Sequence, residues 1–582
     1  MNIEIIRAGA ARSLLGDDDF LAQWSALMAR CPWATAFQSP GFCASWYESY
    51  QDRFEPVLVA SRRNDGTLEG LLCLAASRDG SALVAAGAHQ AEYQVWLCAP
   101  EAANAFPLAA FSLIQASFPE SILKFLYVPN GTPMDWTREP AIASRCQLTA
   151  HRRPLLVFGD GEKISAALRK PRRRSHLNSL KRLGPVELAR LTEPAELEAI
   201  FDELIAHHDL RHAVAHDSAA FRDDPSKKAF HLALMATPGL AHVTVLKVGD
   251  RLGSAQFNLC SANEVHTGVI AYHPMMAKQS PNVFHIYYLA QMLTREGFAR
   301  LDLTPGDDPY KERFATEADE VGVLTLFPTA AGRRRAARRQ TARATAKRLL
   351  TAVGLTPERL GALMGAARRA NPARAPAALA RRGRDWVHRH HELRVYAIDA
   401  SRVPDMADPP DRVRRDQIGD LLQFEPAESW QSRRDLFAAA LERFGNGEHL
   451  YSHAEAGRLL HYSWLIERQG RTLLNEVGQE LDLPPDSAML YDDYTDPGAR
   501  GRGLQTESMR ARLRDAARAP GTKAIFITVL ADNGPSRHVI EKVGFEYQGS
   551  LFEEVRWGRV RRWRTGFEAL AATAGNDGAP AP

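Results

Sequence analysis

The sequence predicts an α/β (α+β) chain with mixed central sheets flanked by helices, arranged as several lobes joined by a basic helical connector. Three observations carry this expectation. β-Hairpin signals precede strand–loop–helix units in both halves. A glycine-rich loop separates a strand-like run from a helix near residue 500. An Arg/Ala-rich stretch with few acids lies between the halves. At 582 residues, several domains of roughly 100–200 residues are expected.

The hairpins come first along the chain. Val57–Ala60 and Leu71–Ala75 flank Asn64-Asp65-Gly66, and Val243–Lys247 and Ala255–Leu259 flank Gly249-Asp250. A third pair, Leu450–Ser452 and Leu459–Leu465, flanks Ala456-Gly457. β-Prone runs around Gly or Asp-Gly are hairpin signals. The continuous apolar run Ala524–Val529 predicts a buried strand. Apolar spacing predicts helices over 175–183, 283–293 and 506–518. Expected divisions are 1–155, 156–330, a connector at 331–390, 391–570, and a polar, proline-ended tail at 571–582 that predicts disorder.

Composition excludes several classes. A hydrophobic share of 45% with 24% charged residues suits a water-soluble globular chain. No apolar run reaches the roughly 18 residues of a membrane span, and Met1–Ile6 lacks the basic start of a signal peptide. All six cysteines fall between 31 and 260 without a C-x-x-C pair. That usage points to a reducing, cytoplasmic setting and away from disulfides or structural zinc. His207, His208 and His212 lack the glutamate of H-E-x-x-H, so no metal is expected. Residues 331–386 carry fifteen Lys or Arg against Glu358 and Asp385, a net +13, so the rest of the +4 chain stands at −9. The connector predicts short helices broken by prolines 357, 372 and 376. It reads either as a solvated brace or as a contact for an anionic partner, membrane headgroups at the inner membrane or RNA.

The loop Arg500-Gly501-Arg502-Gly503-Leu504-Gln505 leaves the strand-like Ala488–Tyr491 and enters the 506–518 helix. Backbone N–H groups at a positive helix N-terminus suit a pyrophosphate. Neither a P-loop nor G-x-G-x-x-G is present. The loop resembles the Arg/Gln-x-x-Gly-x-Gly/Ala loop of the GNAT N-acetyltransferases, with Asn533, Ser536 and Gly544-Phe545 at further positions of the family pattern. Two departures are Gln505, where a small residue is usual, and Ile540, where many members carry a tyrosine general acid.

Residues 20–330 resemble the CelD/BcsL acetyltransferases, a FemAB-related GNAT branch associated with cellulose and other exopolysaccharides. The resemblance rests on Thr35–Pro40 with Trp46, Lys170–Arg174, Tyr272-His273-Pro274 with Ser280-Pro281-Asn282, and Leu301–Lys311. It implies tandem GNAT folds and acetyl-CoA or another acyl-CoA as co-substrate. The acceptor it implies is an amine on a sugar or cell-envelope precursor. Arg500 to Gln505, Asn533 and Ser536 are then the expected coenzyme residues, with Ser280 and Asn282 as a second phosphate loop. Arg172, Arg174, Tyr310 and Lys311 are expected at the substrate, and Asp302, Asp492 and Asp493 are candidate proton acceptors. Two other functions remain open: FemAB-like transfer from aminoacyl-tRNA, and a non-catalytic acyl-CoA-binding regulator of polysaccharide synthesis. Oligomeric state is not predicted.

Overall fold

A computed structural model describes residues 2–159, 161–306, 308–352, 387–403, 412–428 and 431–567. The expected connector beyond residue 352 as far as 386, and the tail 571–582, lie outside the described residues. The chain divides into two compact units, residues 1–208 with 220–353 and residues 209–219 with 354–582.

In the first unit, β1 (Asn2–Arg7), β2 (Phe54–Arg62), β3 (Leu68–Ser77), β4 (Leu83–Ala85) and β5 (Leu97–Cys98) form an antiparallel sheet. A second, eight-stranded sheet contains β6 (Leu123–Val128), β7 (Cys146–Val157), β8 (Val186–Leu191), β9 (Ala241–Val248), β10 (Arg251–Cys260), β11 (Glu264–Tyr272), β12 (Arg300–Asp302) and β13 (Glu317–Leu326). Its order is β6-β13-β7-β12-β11-β10-β9-β8. The expected division near residue 155 is corrected here, because it would cut β7 and remove β6 from the second sheet. One apolar core that includes Trp24, Trp96, Phe106, Phe125, Val243 and Leu324 unites both sheets. Residues 1–155 therefore share their core with the second sheet.

The second unit contains β14 (His388–Asp399), β15 (Arg414–Arg415), β16 (His449–Glu455), β17 (Arg458–Ile466), β18 (Arg471–Leu474), β19 (Gln479–Asp482), β20 (Ser487–Thr495), β21 (Ala524–Leu530), β22 (Glu546–Arg556) and β23 (Arg559–Gly566). β18 and β19 pair with each other, and the other eight form a sheet of order β15-β16-β17-β20-β21-β14-β22-β23. All three hairpins expected from the sequence are present, as β2/β3, β9/β10 and β16/β17.

The two eight-stranded sheets share one plan. Position by position, β8, β9, β10, β11, β12, β7 and β13 match β15, β16, β17, β20, β21, β14 and β22. Both have a single parallel pair at the same place, β11/β12 and β20/β21. Only the edge strand beside β13 or β22 differs in origin, arriving before the others as β6 and after them as β23.

In each sheet the parallel pair comes apart. β20 pairs with β21 only from Ser487↔Ala524 to Leu490↔Ile527, yet the strands run on to Thr495 and Leu530. β11 pairs with β12 from Glu264↔Arg300 to His266↔Asp302, then continues to Tyr272. A bulge follows at once in each case. Asp492 and Asp493 are the unpaired residues between Trp464↔Tyr491 and Tyr462↔Tyr494, and Gly268 is extra between Asn258↔Thr267 and Phe257↔Val269. An extra residue bends its strand and increases the local twist, which turns β20 and β11 away from their parallel neighbours.

Candidate functional site

The second unit's parted strands lead directly into the glycine-rich loop. After β20, a short turn at Pro497–Ala499 is fixed by Asp496, whose carboxylate accepts from the Gly498 N–H at 2.9 Å and from Arg458 at 2.8 Å. The helix Leu504–Arg518 follows. Its buried face carries Leu504, Ser508, Ala511, Arg512 and Ala516 at helical spacing, and Pro520 stands two residues past its end. Gly501 (φ +80°) and Gly503 (φ +81°) are both left-handed, with Arg502 at negative φ between them. Alternation of this kind turns successive N–H groups to one side as an anion nest. Among the described residues, the amides of Gly503, Leu504, Gln505 and Thr506 have no acceptor. These are the orphan donors of a helix start, at the positive end of its dipole.

The named side chains around this loop mostly hold it in place. Arg500 pairs with Glu428 at 3.2 Å and Arg502 with Glu455 at 2.7 Å. Gln505 donates to Ser536 Oγ at 3.0 Å, linking its helix to Gly534–Val543. Asn533 caps that second helix by accepting from the Ser536 N–H at 3.3 Å. Ile540 is fully buried in the core with Met509 and Phe545. The usual tyrosine position therefore holds a packing residue, and its burial contributes about 1.5–3 kcal/mol.

Of the candidate proton acceptors in this unit, Asp492 sits in the bulge at φ +50° and pairs with Arg443. Asp493 is paired with Arg512, whose side chain is fully buried and also donates to the Trp464 carbonyl at 3.1 Å. Burial pushes the Asp493 carboxyl up, against the pull of Arg512.

The first unit differs at the matching loop. Ser280 is left-handed (φ +56°) and starts the helix Pro281–Arg295. Here Pro281 has no N–H, the Ser280 N–H is bound to the Ala277 carbonyl, and the Val283 N–H to the Ser280 carbonyl. Only the Asn282 N–H is left, and the Asn282 side chain accepts from Gln256 at 3.1 Å. The expected phosphate loop at Ser280 and Asn282 is corrected accordingly, because a single amide is not a nest.

Asp302 ends β12 in full burial. It accepts from Tyr93 Oη at 2.5 Å and the Thr304 N–H at 2.8 Å, lies 3.0 Å from His266 Nδ1, and pairs with Arg153 at 3.4 Å. Burial pushes its carboxyl up, but His266, Arg153 and Tyr93 outweigh this and hold it below the usual carboxylate range. A carboxylate so occupied does not take up a substrate proton, which corrects its proposed role as a base. It positions His266, whose Nε2 lies 2.7 Å from Ser261 Oγ.

Glu264, His266 and Asp302 hold donor atoms within 4.8 Å of one another. Arg153 and Arg300 face the same carboxylates. The set is thus an ion-pair network rather than a cation cage. Lys311, expected at the substrate, is buried and donates to Thr304 Oγ1 at 3.3 Å and the Pro305 carbonyl at 3.1 Å. It braces the loop between β12 and the helix Pro309–Phe314. Tyr310 is half-buried, packed against the core that contains Leu289 and Phe314. Arg172 and Arg174 are exposed on the helix Pro171–Lys181.

Sequence reasoning missed Glu92, Tyr93, Arg153 and His266. One signal was present: Glu264 and His266 stand on either side of Val265 and so share one face of a buried strand. Glu92 borders a cavity beside His266, and burial pushes its carboxyl up.

Fold and loop together define an acyltransferase built on tandem GNAT domains. Residues 168–312 and residues 420–546 each match a family model described as an acetyltransferase (GNAT) domain. The chain carries two GNAT acetyltransferase domains, one in each unit. Solved structures similar to it include FemX, at 12% identity over 53% of this chain and 96% of that one, with a TM-score of 0.37. Another is L-PGS from Bacillus licheniformis, at 11% identity over 54% of this chain and 92% of that one (TM-score 0.34). A tandem GNAT protein from the clavulanic acid biosynthesis pathway is similar at 14% identity over 66% and 99%, with a TM-score of 0.20. No curated protein matches the chain.

Proposed function

We propose that the protein is an acyl-CoA-dependent N-acyltransferase that uses acetyl-CoA and acts on an amine of a sugar or cell-envelope precursor in exopolysaccharide synthesis. One observation carries the coenzyme reading: four unpartnered amides gather at a helix start where two strands have parted. A diphosphate supplies the acceptors that these donors lack. The acyl thioester then lies between β20 and β21. The amine nitrogen attacks its carbonyl carbon, the C–N bond forms as the C–S bond breaks, and the thiolate leaves as coenzyme A. Holding the two reactants in line supplies much of the acceleration. Asp492, half-exposed at the bulge and ion-paired with Arg443, is the candidate to collect the amine proton once that pair opens.

The test is calorimetric titration of the full chain with acetyl-CoA and with S-acetylpantetheine, which lacks the diphosphate. Acetyl-CoA is expected to bind at least about a hundredfold more tightly. Equal affinity would remove the basis of this reading. A second reading, FemAB-like transfer from aminoacyl-tRNA, draws support from the first unit, whose matching loop offers one free amide. RNA binding that falls steeply with salt would favour it.

The helix Ala330–Ala352 begins with Arg333, Arg334, Arg335, Arg338 and Arg339 and no acid. This charge supports contact with an anionic partner, and with it a cytoplasmic protein peripheral to the inner membrane. Among the described residues no helix is long and apolar enough to cross a membrane.

A further inference from the structure

The first unit has a cavity where its sheet opens. It measures about 140 Å³ and is bordered by His266, Thr267, Gly268 and Val269. These residues begin at the last β11/β12 pair and run through the bulge. Gly268 is required there, since a Cβ would come within 2.5 Å of the Phe257 carbonyl oxygen. Phe37, Phe42, Phe230 and Phe257, all buried, form aromatic walls. A cavity of about this size takes a benzene-sized molecule.

Among the described residues, two polar groups on the wall lack a hydrogen-bond partner, the buried Thr267 hydroxyl and the Glu92 carboxylate, and of these only Glu92 is an acid. His266 is held between Asp302 and Ser261. His231 donates from Nδ1 to the Lys227 carbonyl (2.7 Å) and is uncharged at neutral pH, because burial pushes it down to about 3. His89 lies 3.1 Å from Asp224, and Lys227 rests 4.7 Å over the Phe221 ring. Glu92 feels the charges of Lys311, Asp302, His266 and Lys227, yet its carboxylate has no hydrogen-bond donor among the described residues.

We propose that this cavity is a binding site for a small primary amine, its ammonium group on Glu92 and its carbon body between the phenylalanine rings. An ammonium supplies the hydrogen bonds that the carboxylate lacks, and the aromatic faces attract it further. The site requires no acyl donor, so it stands whether or not the second unit binds coenzyme A.

The test is titration of the full-length protein, without acyl-CoA, with benzylamine and with benzyl alcohol, its uncharged counterpart of similar shape. The amine is expected to bind at least about tenfold more tightly than the alcohol. Glu92→Gln is expected to abolish that preference and leave the alcohol's affinity unchanged. Val269→Trp, which fills the cavity, should remove binding of both, and near-UV circular dichroism checks that each variant is folded. In the wild type the amine's affinity should fall as Glu92 is protonated on acidification, with the alcohol unaffected. Equal binding of amine and alcohol, no binding of either, or a preference that survives in Glu92→Gln would overturn the assignment.

Discussion

Replacing Gly503 by alanine separates the coenzyme reading from general damage to the fold. An added Cβ at this position meets nothing within 4 Å, so the chain itself has room for it. The cost lies in the backbone, because φ of +81° is left-handed and costs an L-residue about 1–2 kcal/mol. The chain then has two courses. If it keeps that φ, the methyl group stands in the open space beside the amides. If φ relaxes, the N–H groups of residues 503–506 turn away from their common focus. Either course removes at least two charge-assisted bonds to a diphosphate, each contributing about 1.5–3 kcal/mol. The sum, about 3–6 kcal/mol, corresponds to at least a hundredfold loss of acetyl-CoA affinity. Calorimetry reads this directly, S-acetylpantetheine serves as a control that should not change, and urea unfolding reads the backbone cost. Acetyl-CoA affinity within about threefold of wild type, alongside the expected loss of stability, would show that the amides grip nothing.

Two further outcomes concern stability. Asp493→Ala leaves the Arg512 guanidinium buried with only carbonyl partners, and should cost about 3–5 kcal/mol in urea unfolding. The double replacement Asp493→Leu with Arg512→Met should recover much of that; a single-variant loss below about 1 kcal/mol would contradict the burial argument. His207, His231, His285 and His461 are each pushed down to about 3 by burial. The unfolded chain binds these protons below about pH 6.5 and the folded chain does not, so stability falls as pH drops from 6.5 towards 3. At pH 5.5 each contributes a loss of about 1.4 kcal/mol, three of them in the first unit. Unfolding free energies that stay level between pH 7.5 and 5.5 would refute the neutral, buried state of these rings.

What the sequence made legible was local. The hairpins, the strand at Ala524, the Gly501/Gly503 loop and its helix all arise from neighbouring residues, and each is present. The lobe division near residue 155 failed because β6 and β7 are chosen by long-range pairing with β13 and β12, which hairpin signals do not encode. Asp302 was correctly placed at a strand end, but its partners Tyr93, Arg153 and His266 lie 36 to 209 residues away. Nothing near Asp302 in the chain announces that its lone pairs are taken. The loop at Ser280 misled for the opposite reason. It has the position and the left-handed residue of an anion site, but a proline and two short-range bonds use up its donors.

That contrast bears on how one sheet plan serves two ends. In both units a bulge immediately after the last parallel pair drives the strands apart, so the opening is a property of the shared fold. What occupies the opening is set by the few residues around it. After β20, two glycines and an uncapped helix leave four donors for an anion. After β11, Pro281 removes one donor while Gly268 and four phenylalanines make room beside an unpaired carboxylate. The two openings therefore favour ligands of opposite charge. A chain in which exchanging these loops left both ligand preferences unchanged would show that the parted strands, and not the residues around them, decide what is bound.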